Sequence, residues 1–195
     1  MASLVLSGDT SGSITVSAPA VAGSTTQTLV NVTGTLAPIV SGTAVTCAGQ
    51  TSIDFTGIPS WVKRITVMFQ GVSTSGTSIM LVQLGTSGGV VTSGYVGGSS
   101  GGNTGVASSA ITTGHGTANA MVAASTYFGH AIFTNISGNT WVGSSAINQS
   151  AGQFGVGGSG ITLGGTLDRV RITTVNGTDT FDTTPSAGTI NIIYE

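Results

Sequence analysis

The sequence predicts an all-β protein: an antiparallel, jelly-roll-like β-sandwich preceded by an extended N-terminal arm. Three observations point there. Hydrophobic residues recur with a period of two over most of the chain, the signature of half-buried strands. Helix signals are almost absent. Charged residues make up 5% of the 195 positions while hydrophobic residues make up 39%, where an ordinary soluble domain carries about 25% charge. Such a chain has enough apolar surface to fold but few charges to guard sheet edges, so it is expected to close its sheets or cover them with other subunits.

The elements follow in order. Residues 1–42 differ: Ser11 to Gly23 alternates weakly with small apolar side chains (Ser13-Ile14-Thr15-Val16-Ser17), and no aromatic residue precedes Phe55. A segment so poor in bulk builds no core of its own, so it reads as an attachment and oligomerisation arm. Pro38 and Gly42 mark the boundary to a sandwich over 43–195. Residues 65–70 continue the Trp61-Val62-Lys63-Arg64 run as a first strong strand, and 79–84 form the second after a Ser/Thr/Gly turn. Further strands are expected at 127–136, 140–148, 167–175 and 189–194, each β-branched or aromatic and bounded by Gly, Asn or Ser. Residues 45–55 and 90–96 are weaker candidates. Residues 118–125 suit one short helical turn at most. Gly97 to Gly105 is low in complexity and is expected to be a mobile loop opening an irregular stretch to Ala118.

Composition excludes several function classes. Four basic residues (Lys63, Arg64, Arg169, Arg171) against six acids supply too few phosphate contacts for nucleic acid. They suit an anionic membrane no better, and no stretch is long enough to insert into a bilayer. Cys47 is the one cysteine, so neither an intrachain disulfide nor a cysteine zinc site is available; it reads as a buried strand residue. The glycine-rich loops lack the lysine and following helix of a phosphate cradle. No cofactor or metal is expected.

Catalytic patterns are thin. Asp179 and Asp182 sit close in sequence, as glycosidase carboxylates can, but their Thr, Asn and Gly neighbours make a turn the better account. His115 and His130 belong to no paired motif. His115 lies in a loop-like Thr-Gly-His-Gly-Thr and His130 in a strand, where a ring of copies around a symmetry axis could hold a metal. On this basis no enzymatic activity is expected. The side chains suited to contact a sugar are Tyr95, which borders the glycine-rich loop, with Asn103, His115 and Trp141; Trp61 and Tyr127 could stack likewise, although core packing is their simpler role. Arg169 and Arg171 share one strand face, with Asp168 on the other, and are candidates for intersubunit contact.

The segment Thr56-Gly57-Ile58-Pro59-Ser60-Trp61-Val62-Lys63-Arg64-Ile65-Thr66-Val67-Met68-Phe69-Gln70-Gly71-Val72-Ser73-Thr74-Ser75-Gly76 resembles a stretch recurrent in structural proteins of tailed bacteriophages, especially small tail fibre (receptor-binding) proteins. The ending, Val175 to Asp182 and Ala187 to Glu195, is similar to their C-terminus, and residues 11–36 to the leaders before fibre domains. The resemblance implies a virion protein, a homotrimer attached by residues 1–42 to tail, baseplate or capsid, with its sandwich pointing outward. It transfers no individual binding residue. A short tail fibre contacting host-surface saccharide through distal loops is the leading expectation. A capsid decoration or cement protein stabilising the shell is the alternative, and a glycan depolymerase a third.

Overall fold

The computed structural model describes residues 3–7, 11–17, 37–102, 104–123, 125–184 and 187–195. The chain divides into two units, Met1–Leu36 and Ala37–Glu195. Within the first, β1 (Ser3–Ser7) and β2 (Ser13–Ser17) pair antiparallel, Val5 opposite Thr15. Leu4, Val5, Leu6, Ile14 and Val16 are exposed on this ribbon. The second unit begins ahead of the boundary expected after Gly42, because Val40–Ser41 is already hydrogen-bonded to the last strand.

The second unit is all-β, and no helix occurs among the described residues. Its strands are β3 (Val40–Ser41), β4 (Val45–Thr46), β5 (Ile53–Thr56), β6 (Arg64–Val72), β7 (Met80–Thr86), β8 (Gly89–Val90), β9 (Val96–Gly102), β10 (Ala107–Ala110), β11 (His115–Gly116), β12 (Tyr127–Ser137), β13 (Thr140–Gln149), β14 (Phe154–Thr162), β15 (Leu167–Thr174) and β16 (Thr189–Tyr194). They form antiparallel sheets consistent with a β-sandwich. A nine-stranded sheet runs β10-β9-β14-β13-β12-β6-β16-β3, with β4 also on β16; a five-stranded sheet runs β11-β7-β15-β5, with β8 also on β7. The expected strands at 65–70, 79–84, 127–136, 140–148, 167–175 and 189–194 are all present, and the turn expected in 118–125 is a single bond from the Ser125 N–H to the Val122 carbonyl.

Alternation fixes which face is buried. Ile65, Val67 and Phe69 of β6, Ala131 and Phe133 of β12, Trp141 and Ile147 of β13, and Ile190 and Ile192 of β16 meet Val82 and Leu84 of β7 and Val170 and Ile172 of β15 in one core. Each such side chain contributes about 1.5–3 kcal/mol on burial. Cys47 is buried in the same core, and burial pushes its thiol up to about 11.

Residues 97–102 are not a mobile loop. They are strand β9, held between β10 and β14. Glycine is required here by close backbone approach. On neighbouring β14, a Cβ at Gly157 would lie 1.9 Å from the Gly116 carbonyl oxygen, and one at Gly155 would lie 2.7 Å from that of Thr117. The inward glycines of β14 thus make room for residues 115–118 to cross directly beneath it. Glycine composition hid both strands from a propensity-based reading.

Candidate functional site

Three of the four residues expected to touch a saccharide are interior. Tyr95 is 2% exposed and Trp141 3%, while His115 has no exposed surface. Asn103 lies outside the described residues. The bulk that suits Tyr95 and Trp141 to a sugar ring is needed inside this aromatic-poor chain. The Tyr95 hydroxyl also completes a ladder. It accepts the Leu84 N–H at 2.7 Å and lies 3.4 Å from the Leu84 carbonyl, between the stretches of β7 paired with β8 and β11. Burial pushes this phenol up to about 12 against the opposing effect of the Leu84 bond.

His115 sits on β11 opposite Val82. Its Nδ1 is 2.9 Å from Ser159 Oγ, and its ring meets Phe133 edge-on at 5.2 Å between centroids. Its Nε2 has no hydrogen-bond partner. Burial lowers its pKa to about 4, so it is a neutral imidazole at pH 7. A serine beside a histidine suggests a nucleophile and base, but no carboxylate orients this ring, and the orphan nitrogen faces no reacting group. Ser145 Oγ is a second buried orphan in the same interior. His130, by contrast, is exposed on β12. Among the described residues, no three His, Cys, Asp or Glu side chains gather as a metal site would need.

The expected intersubunit residues have partners within the chain. Arg171 pairs with Asp54 in a two-pronged bridge, Nε to Oδ1 and Nη2 to Oδ2, each at 2.7 Å. Arg169 Nη2 reaches Asp168 Oδ2 at 3.0 Å and the Ser87 carbonyl at 3.2 Å. Simple alternation would separate Asp168 from Arg169. The pairing of β15 with β7 slips between Leu167 and Arg169, and such a bulge brings consecutive side chains toward one face. Asp179 and Asp182 are turn acceptors. Asp179 takes the Ser78 N–H and the Asn176 amide, and Asp182 takes the Ser73 hydroxyl.

A concave site instead lies on the outer face of the five-stranded sheet. Register puts Asp54, Arg171 and Gln83 in one row across β5, β15 and β7, and Thr173 beside Leu81 in the next. Gln83, Arg171, Thr173 and Leu81 floor a groove of about 330 Å³, walled by Thr92 and Thr113 on one side and by Thr51, Ser52 and the 174–177 turn on the other. The walls are tied to the floor: Gln83 Nε2 donates to the Thr113 carbonyl at 2.7 Å, and the Thr173 hydroxyl to the Thr51 carbonyl at 2.9 Å. Thr174 donates to Asn176 Oδ1 at 2.9 Å, and positive φ at Gly177 (67°) lets the turn close. The Asp54 bridge raises the Arg171 pKa and occupies two of its five N–H donors.

Leu81, Gln83 and Thr173 are themselves nearly buried at 1%, 6% and 8% exposed, so the groove offers mainly the hydroxyls and amides of its walls and a charge-compensated guanidinium. Its size is at the lower end of small-ligand sites. The sequence singles out Arg171 only for intersubunit contact, and it singles out Gln83, Thr51, Thr173 and Asn176 for nothing. Period two put Arg171 and Thr173 on one face; nothing in the sequence told which loops would wall it. Compared with known proteins, the chain matches no protein-family model, no curated protein and no solved structure.

Proposed function

We propose that this chain is a non-enzymatic structural protein of a tailed-phage particle, of the short tail fibre kind, with a jelly-roll-like sandwich that contacts a neutral saccharide on the host surface. The observation that carries the saccharide part is the groove floored by Gln83, Arg171 and Thr173. Its lining of hydroxyls and amides matches a polyol, and its one guanidinium is already neutralised by Asp54. The phage part is supported by the resemblance of residues 56–76 and of the C-terminal segment. The groove takes the place of Tyr95, His115 and Trp141, which are buried.

The test is binding of the full chain to arrayed neutral and acidic oligosaccharides, with Thr173→Val and Gln83→Ala as variants. A neutral glycan should bind, and each variant should weaken it about tenfold, the effect of one lost hydrogen bond. Binding that both variants leave intact, or a preference for acidic glycans alone, would remove the groove from this role. Gold labelling of particles places the protein. Label at the tail supports a fibre; label over the whole shell at hundreds of copies makes it a decoration protein.

A further inference from the structure

Residues 65–167 contain no Asp, Glu, Lys or Arg. This stretch builds β9, β10, β12, β13 and β14, together with all of β6 but Arg64, and these form most of the nine-stranded sheet. The outward side chains of that sheet consequently form a broad uncharged face. Phe128, Val142, Phe154 and Val156 point outward and are 37–43% exposed, and Val96 at the margin is 78% exposed. His130 is the one titratable side chain within these rows; Arg64, at the edge, is engaged by Glu195 at 3.1 Å.

We propose that this face is an interface with a second copy of the same chain, packed sheet on sheet about a two-fold axis, in place of the homotrimer that the phage resemblance implies. The argument has three parts. The first is area. Six strands from β16 to β9, spaced about 4.8 Å apart, and four outward rows spaced about 6.8 Å along them span roughly 25–30 Å each way, or about 700 Å² of projected surface. A standard interface buries about 800 Å² per partner, so the face is of the size that one needs.

The second part is charge. A face with no net charge meets its own copy without repulsion. It presents no cation to an anionic lipid or acidic partner and no anion to a basic one. The third part is relief. On the β16-β6-β12 side the outward row is bulky, with Ile193, Thr66 and Ile132 in register; the same row continues on β13, β14 and β9 as Ser144, Gly158 and Gly98. Along this row one half is a ridge and the other a shelf, while Phe154, Val156 and Val96 stand in the neighbouring rows of β14 and β9. A two-fold axis over β13 lays the ridge of each copy on the shelf of the other, at the about 10 Å spacing of packed sheets.

Sedimentation of the full chain tests this. The intact protein should dimerise at micromolar concentration. Ala146→Glu and Val156→Lys place a charge on the exposed face, where the fold of one chain tolerates it. Each should weaken dimerisation by about 100-fold, because the charge would be buried unpaired between copies. Thermal unfolding confirms that the variants fold, and Thr178→Lys, in an exposed turn of the other sheet, should change nothing. A protein that stays monomeric at tens of micromolar overturns the proposal. So does an oligomer that survives both substitutions, since it must be held elsewhere, for instance by the exposed β1–β2 ribbon. A higher oligomer that both substitutions dissolve keeps the face and overturns the two-fold arrangement.

Discussion

Acidification should destabilise this protein through His115, an effect separable from its carboxylates. The ring has no exposed surface, and burial holds its pKa at about 4 against an ordinary value of 6.5. Either tautomer leads to the same result. If Nδ1 accepts from Ser159, Nε2 carries a proton with no acceptor; if Nδ1 donates, Nε2 is a bare acceptor. Adding a proton in either case creates a buried cation with no counter-ion, beside the edge-on ring of Phe133. The unfolded chain takes up that proton freely below pH 6.5, and the native state does not until about pH 4. The unfolded state thus binds more protons through this window, so stability falls as pH falls, and the loss levels off below pH 4.

At 1.36 kcal/mol per pH unit, the loss from this one group is about 2 kcal/mol at pH 5 and about 3 kcal/mol at pH 4. A domain of this size would lose roughly 6–12 °C in Tm from 3 kcal/mol. The assay is urea unfolding of the wild type and His115→Gln at pH 7, 6, 5 and 4. Glutamine can keep a bond to Ser159 but cannot titrate. The carboxylates are common to both proteins, so the difference between the two pH profiles belongs to His115. The variant should start less stable at pH 7 and converge on the wild type by pH 4. Parallel profiles would refute the reasoning, as would an NMR titration showing the His115 imidazole protonating near pH 6.

Other substitutions probe other parts of the fold. Gly157→Ala should cost about 3 kcal/mol or more, as overpacking against backbone does, because its Cβ would sit 1.9 Å from the Gly116 carbonyl; Gly158→Ala meets nothing within 4 Å and should be neutral in thermal unfolding of the monomer. Tyr95→Phe removes the acceptor of the Leu84 N–H and should cost about 1–3 kcal/mol in chemical denaturation, the penalty of an unsatisfied buried donor. Asp179→Ala releases Ser78 and Asn176; it should lower stability by about 1 kcal/mol and speed amide exchange in the 174–180 turn.

Strands of ordinary composition were legible in the sequence because period two and β-branching mark them. The runs 127–136 and 189–194 are found almost where the alternation ends. Strand β14 was not legible. Its Gly-Val-Gly-Gly-Ser-Gly core has low strand propensity, and it is a strand because β13 and β9 hydrogen-bond it from both sides. That is tertiary context overriding local preference. The same holds for β9. The site was less legible still. Tyr95 and His115 looked exposed because they flank glycine-rich segments, yet those glycines are where backbone packs tightly on backbone. Arg171 reads in the sequence as a candidate for intersubunit contact, but its Asp54 partner lies far away in sequence, and no pattern within either strand announces the pairing.

The placement of charge ties these observations together. Scarcity alone says only that charge is rare; the fold shows that it is also segregated. Arg169 and Arg171 with Asp168 and Asp54 lie on β15, β5 and the outer side of the five-stranded sheet, and Asp179 and Asp182 secure the turn beside it. Arg64 and Glu195 close one edge. Among the described residues, the rest of the opposite outer face carries no Asp, Glu, Lys or Arg beyond that rim pair. In solution a sheet face so large and so free of charge is a standing invitation to association, while the charged side holds a groove whose ions are already paired. If the two faces divide the work, substitutions on one should leave the other untouched. Val156→Lys should weaken self-association without altering glycan binding, and Thr173→Val should do the reverse. Measuring both quantities on both variants decides it, and a variant that impairs the two together would show that the groove depends on the assembled pair.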